Sequence, residues 1–237
     1  MSKACFVSDL HLFANRSRGA RHLNAIRLAA ARSQHCILGG DIFDFKWSTL
    51  PAGDHTLDAA LSWLHDLAIS VPDCRVHFLL GNHDYHPGLI ARLPLLAQTL
   101  PNFEWERFFL RKGNTMFLHG DVADRKMTAA RLEQRRLRFS HKPRNPLQHR
   151  AYDLLVNSQV HDVLPRAVYP KRLVARRILS YLEDIGHGPE TGLQHVYFGH
   201  THRAVNGYKH RGLEFHNGGA PIGRSKYRIL ELEFGGA

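Results

Sequence analysis

Five short motifs, each closing a short apolar run, constrain this chain more than any other feature. Residues 4–7 run into Asp9-Leu10-His11, 36–38 into Gly40-Asp41, and 76–80 into Gly81-Asn82-His83-Asp84. Residues 115–118 run into His119-Gly120-Asp121, and 196–198 into Gly199-His200-Thr201-His202. Runs this short, apolar and rich in β-branched or aromatic residues read as strands buried on both faces. In α/β sheets ligands collect at the carboxyl ends of strands, so five strand ends would deliver Asp, His and Asn side chains to one edge. A single Asp-x-His is a weak signal, and a lone His is more often a satisfied core or surface residue than a ligand. Five such motifs in this order, all after strands, leave little room for coincidence.

Between these runs, 21–33, 57–69 and parts of 88–100 carry apolar residues at helical spacing. Strands alternating with helices imply an α/β fold. Two more strand candidates follow at 213–216 and 227–234, the last alternating cleanly enough to predict an antiparallel edge. Residues 122–186 break the pattern. They hold no convincing strand and read as three helices, 127–139, 149–164 and 171–185, punctuated by Pro143, Pro146, Pro165 and Pro170. Flanked by two of the motifs, this helical insertion is expected to cap the site, the alternative being a solvated decoration.

At 237 residues, 43% of them hydrophobic and 22% charged, residues 1–237 are expected to form one domain with that cap inserted at about 122–186. No run reaches the roughly 20 apolar residues of a membrane span, and the N-terminus enters a strand with no signal-peptide pattern. A cytoplasmic, soluble protein is the simplest expectation. Cys5, Cys36 and Cys74 form no C-x-x-C motif and are given no chemical role.

The motifs supply enough imidazole, carboxylate and amide ligands for two divalent metals side by side, which can clamp a phosphoryl group. A carboxylate shared by both ions would offset their repulsion, and Asp41, whose motif stands between the others, is the best candidate. Imidazole with carboxylate suits Mn, Fe or Zn better than Ca or Mg, and the lack of Cys ligands argues against a structural zinc site. Asp84 and Asp121 read either as partners orienting ligating histidines or as caps on the following turns.

The order D-x-H, GD, GNHD, HGD, GHTH resembles the calcineurin-like metallophosphoesterase superfamily, from residue 5 to about 220. The resemblance implies a four-layer αββα fold (two sheets flanked by helices, α+β in class) and a hydrolase of phosphodiester or pyrophosphate bonds. It implies that Asp9, His11, Asp41 and His202 hold one metal, that Asp41, Asn82, His119 and His200 hold the other, and that His83 contacts the phosphate or protonates the leaving group. Asn217-Gly218-Gly219 stands at the family's late Asn/Gly-rich turn, without an assigned role. The insertion is similar in position and character to that of the UDP-diacylglucosamine pyrophosphohydrolases, which suggests a UDP-linked lipid or sugar as substrate. Many of those enzymes carry Arg where His83 stands and Glu where Asp44 stands.

Net charge is +11, and residues 122–186, with 14 Lys+Arg against 6 Asp+Glu, carry +8 of it. Such a balance suggests an anionic partner. Arg135, Arg138, Arg172 and Arg176, with Arg136 and Arg177, are candidates to grip a phosphorylated substrate. The same charges would suit peripheral contact with the inner face of a membrane, or nucleic acid, although the aromatics Phe139, Tyr152, Tyr169 and Tyr181 do not interleave with the arginines as single-strand binding wants. A nuclease or cyclic-nucleotide phosphodiesterase is the competing enzyme. A non-catalytic scaffold would be expected to have lost ligands or His83, which this chain keeps.

Overall fold

The computed structural model describes residues 2–51, 54–139, 148, 168–223 and 225–235. β1 (Ser2–Val7), β2 (His35–Gly39), β3 (Arg75–Leu79) and β4 (Phe103–Glu106) form a parallel sheet in chain order. α1 (Leu23–Ala31), α2 (His55–Ser70) and α3 (Pro87–Thr99) connect them. The second sheet holds β5 (Phe109–Lys112), β6 (Thr115–Leu118), β7 (His195–Phe198), β8 (Val205–His210) and β9 (Leu213–Asn217) in the order β5-β6-β7-β9-β8, with β6, β7 and β9 parallel. β10 (Leu230–Phe234) then returns to the first sheet, antiparallel to β1 at its edge as its alternation predicts.

Side chains explain the layering. α2 buries Leu57, Ala60, Leu64, Leu67 and Ala68, one helical stripe at three- and four-residue spacing, against the outer face of the first sheet. Between the sheets Phe6, Phe117, Tyr197, Leu79 and Phe234 meet, with Phe6 and Phe117 stacked at 6.0 Å. Each such fully buried side chain contributes about 1.5–3 kcal/mol. The result is the expected mixed α/β arrangement of two sheets flanked by helices.

Within 122–186, α4 (Ala129–Arg138) starts at Thr128, whose hydroxyl accepts from the Arg131 amide, an ordinary N-cap. α5 (Lys171–Asp184) lays Val174, Ala175, Ile178, Leu179, Tyr181 and Leu182 on the second sheet, against Phe198 and Phe215. It is therefore part of the outer layer. The helix expected at 149–164, with Pro143, Pro146 and Pro165, lies outside the described residues. Among those described, no helix is long and apolar enough to cross a membrane. Cys5, Cys36 and Cys74 are buried and unbridged.

Candidate metal centre

Asp9 and His11 follow β1, Asp41 follows β2, Asn82 and His83 follow β3, His119 follows β6, and His200 and His202 follow β7. All five strands point the same way within their sheets, so their ends bring these side chains together across the sandwich. Asp9, His11 and His202 each offer a ligand atom within 4.8 Å of the others, and so do Asp41, His119 and His200. His11 Nε2 lies 3.1 Å from His202 Nε2, and His202 Nε2 3.6 Å from Asp9 Oδ1. In the second group His119 Nε2 is 3.3 Å from Asp41 Oδ2 and 3.2 Å from Asn82 Oδ1. Asp41 Oδ2 is also 3.8 Å from His11 Nε2, so one carboxylate oxygen stands between the two groups.

The backbone is bent to achieve this. Asp9, His11, Asp41, His200 and His202 take φ of 54°, 45°, 51°, 64° and 53°, left-handed values that cost an L-residue about 1–2 kcal/mol each. Pairing of the two loops holds the first three: the Asp9 amide donates to the Gly40 carbonyl at 3.0 Å and the His11 amide to the Asp41 carbonyl at 2.9 Å. Two glycines are needed for close approach. A Cβ on Gly81 would collide with Asp41 Oδ1, and one on Gly199 with Asp9 Oδ2.

Neighbours fix which atom of each side chain faces inward. The His119 Nδ1 is 3.2 Å from the Gly39 carbonyl and the His11 Nδ1 is 3.2 Å from Asp44 Oδ2. Nδ1–H donation to those oxygens leaves Nε2 free on both rings. His200 is turned the other way: its Nε2 lies 2.8 Å from Asp124 Oδ1, leaving Nδ1. Asp44 also meets His83 Nδ1 at 2.9 Å and accepts from Arg16 at 3.0 Å. The remaining carboxylate oxygens are held by amides, His200 N donating to Asp9 Oδ1 and His83 N to Asp41 Oδ1, both at 2.8 Å.

Burial and close carboxylates shape the electrostatics of this pocket. Burial pushes Asp9 up, and the Asp41 carboxylate adds to it. Against burial, Asp41, Asp121 and Asp9 hold the His119 imidazole up at about 10, a sign of the negative potential these carboxylates concentrate there. Burial and the neighbouring His11 keep His202 well below the ordinary histidine value, and burial lowers His11, which favours the neutral form a metal requires. Asp9 Oδ2 is buried and, among the described residues, meets no donor within hydrogen-bonding geometry. Ligand atoms about 2.1 Å from one ion lie roughly 3.0–3.5 Å apart, close to the spacings here. The donor set thus fits two adjacent divalent ions.

Other residues land elsewhere. The Asp84 carboxylate accepts from the amides of Ile42, Phe43 and Gly81; burial and Asp41 raise it to about 7. Asp121 forks onto Arg136 at 2.9 and 2.8 Å. Neither hydrogen-bonds a candidate ligand histidine, and neither caps the turn that follows it: Asp84 ties the Gly-Asn-His-Asp turn to the Gly-Asp loop, and Asp121 is an ion-pair partner. Arg136, read from sequence as a phosphate grip, is 1% exposed; it is corrected to a buried strut, because its donors are spent on Asp121 and the carbonyls of Leu80 and Arg107. Arg135 pairs with Asp124. Arg138, with Arg125, Lys126, Arg131 and Phe139, lines a groove of about 500 Å³. Arg172 and Arg176 are exposed on α5, near enough to His210 to help lower its pKa. The Phe139 ring, at the end of α4, sits 4.9 Å from the His83 ring.

Reading by motif misses Asp44 and Asp124, the two carboxylates that orient the histidines, and Arg16. It also leaves Asn217 without a role. The buried Asn217 amide donates to the Gly199 carbonyl at 2.8 Å and steadies the Gly-His-Thr-His turn. Asp44 and Asp124 each lie three residues after a motif Asp, which is the one signal the sequence offers.

A family model described as calcineurin-like phosphoesterase matches residues 2–204. No curated protein matches the chain with significance. Among solved structures, Yfce, a phosphoesterase from E. coli, is 16% identical, with 98% of this chain and 88% of that one covered and a TM-score of 0.44. A dimetal phosphatase from Danio rerio is 15% identical, with 94% of this chain and 88% of that one covered and a TM-score of 0.45.

Proposed function

The chain belongs to the calcineurin-like phosphoesterase family, a family of metal-dependent hydrolases, and from that premise we propose that it cleaves a phosphodiester or pyrophosphate bond at the centre described above. The observation that carries this reading is the position of Asp41 Oδ2, 3.8 Å from His11 Nε2 on one side and 3.3 Å from His119 Nε2 on the other. Asp9, His11, Asp41 and His202 would hold one ion, and Asp41, Asn82, His119 and His200 the second. Manganese suits these ligands, with iron or zinc as alternatives. When bound, such a pair supplies charge neutralisation and a nucleophile at neutral pH.

His83 is the proton donor in this proposal, with Asn82 beside it. Burial would lower the His83 pKa, but Asp44 and Asp41 raise it above the ordinary value, which favours the protonated ring that an acid needs. Asp44 engages Nδ1, which leaves Nε2 to meet a phosphate oxygen or a leaving group. Phe139 and the groove lined by Arg125, Lys126, Arg131, Arg135 and Arg138 adjoin this ring and supply positive charge for the rest of a phosphorylated substrate. A UDP-linked lipid or sugar is the favoured substrate class, with Arg172 and Arg176 offering further contacts to substrate or to a membrane surface from the cytoplasmic side. The same groove suits a nuclease or cyclic-nucleotide phosphodiesterase.

Manganese-stimulated hydrolysis of UDP-diacylglucosamine against a generic aryl phosphodiester tests the reading. Strong preference for the lipid nucleotide supports the substrate class. Activity on the aryl diester alone removes the lipid assignment and keeps the metal site, and inactivity on every phosphoester with two ions bound would return the protein to a scaffold role.

A further inference from the structure

We propose that a third divalent transition-metal ion, zinc by its ligand chemistry, binds at His195, Glu214 and His216, apart from the dinuclear centre. β7 and β9 are parallel neighbours with His195 opposite Glu214 and Tyr197 opposite His216. Alternate residues share a face of a strand, so all three side chains lie on the face turned toward the first sheet, with Tyr197. Each offers a ligand atom within 4.8 Å of the other two. Two imidazoles and one carboxylate are a zinc set that leaves a position open.

His216 supplies an independent observation. It is 9% exposed, and its Nε2 is buried with no hydrogen-bond partner among the described residues. Glu214 Oε1, the carboxylate oxygen beside it, stands 3.6 Å away, too far for a hydrogen bond and within the range of two ligands on one ion. Tyr197 stacks on the His216 ring at 4.5 Å and 12° between planes, which fixes where Nε2 points. The space is kept by Gly207, where a Cβ would stand 2.8 Å from Glu214 Oε1. Access is open, since the Glu214 side chain is 31% exposed. The Gly207 amide donates to His216 Nδ1 at 3.3 Å; a metal on Nε2 moves the ring proton to Nδ1, so this long, weak bond opens on binding. Four residues of β7 at roughly 3.3 Å each, on the order of 13 Å, separate His195 from the turn at Gly199, so the ion would bridge two strands without touching the phosphoesterase ligands.

The test is zinc and cobalt titration of the full chain with its central sites first filled with manganese. The expected result is one further ion, seen by elemental analysis and as a visible cobalt band of low coordination number. His195→Ala and Glu214→Gln, both changes at the accessible side, should weaken that binding by roughly 100-fold or more, with phosphodiester hydrolysis unchanged. Asp41→Ala, which disrupts the centre, should retain the band. Saturation without a further ion, or a further ion bound equally by His195→Ala and the native chain, overturns the site.

Discussion

Removing the Asp121 carboxylate while leaving Arg136 in place should destabilise this protein more than any surface change. Both side chains are 1% exposed, and the guanidinium is clamped by two bonds to Asp121 and by the carbonyls of Leu80 and Arg107, with Tyr85 and Phe108 rings over it at 5.7 and 5.4 Å. Breaking a buried pair by deleting one partner costs about 3–5 kcal/mol. Part of that is visible as proton linkage. Burial favours the neutral acid, but Arg136 holds Asp121 at about 2 instead of 3.8, which amounts to roughly 2 kcal/mol. Because the folded-state value is depressed, this contribution is fully present above about pH 4 and is lost as pH falls toward 2. For a chain of this size each kcal/mol moves the melting temperature by about 2–4 °C, so Asp121→Ala should melt roughly 6–20 °C lower at pH 7. The double variant Asp121→Ala/Arg136→Met removes the stranded charge and should regain at least half of the loss. Thermal unfolding of the native chain, both single variants and the double variant, with and without manganese, supplies the cycle. A single-variant loss under about 1 kcal/mol, or additive losses, would falsify the view of Arg136 as a buried strut.

Three other outcomes are expected. Asp41→Ala should abolish hydrolysis and lower metal content, since its Oδ2 serves both groups; two ions retained by elemental analysis would end the shared-ligand argument. His83→Ala should keep its metal and lose roughly 10²–10⁴ in turnover, the range of a positioned acid, and an unchanged rate would remove His83 from the reaction. Asp44→Asn takes away the carboxylate that raises His83, so at saturating manganese the alkaline fall in rate should move to lower pH; because Asp44 also holds His11 Nδ1, metal affinity should weaken as well. An unmoved pH profile would contradict the pairing.

The buried strands were legible because they are continuous apolar runs. The three strands that sequence patterning passes over, β4, β5 and β8, are all sheet edges. Phe103-Glu104-Trp105-Glu106, Phe109-Leu110-Arg111-Lys112 and Val205-Asn206-Gly207-Tyr208-Lys209-His210 carry the charge and glycine that edges tolerate, which hides them from a search for apolar runs. The residues brought together at the centre were legible because their motifs follow strand ends. Asp44 and Asp124 were not, because a carboxylate that orients a histidine is defined by a contact across the fold, 33 residues away for His11 and 76 for His200. Arg136 misled for the same reason: its charge is visible in sequence and its burial is not. The left-handed turns at Asp9, His11, Asp41, His200 and His202 lie in ordinary-looking sequence, and only the backbone reveals them.

Each ligand group draws on both sheets. Asp9, His11 and Asp41 descend from the first, and His119, His200 and His202 from the second. Residues 2–106 build nearly all of one half of the sandwich and residues 109–217 build the other, so the dinuclear centre is a seam stitched between two consecutive halves of the chain. Metal loading is then a form of assembly. Ions held by the proposed ligands in the closed sandwich and not by its separated halves would favour closure by mass action, so stripping metal is expected to loosen the protein along that seam as well as to stop hydrolysis.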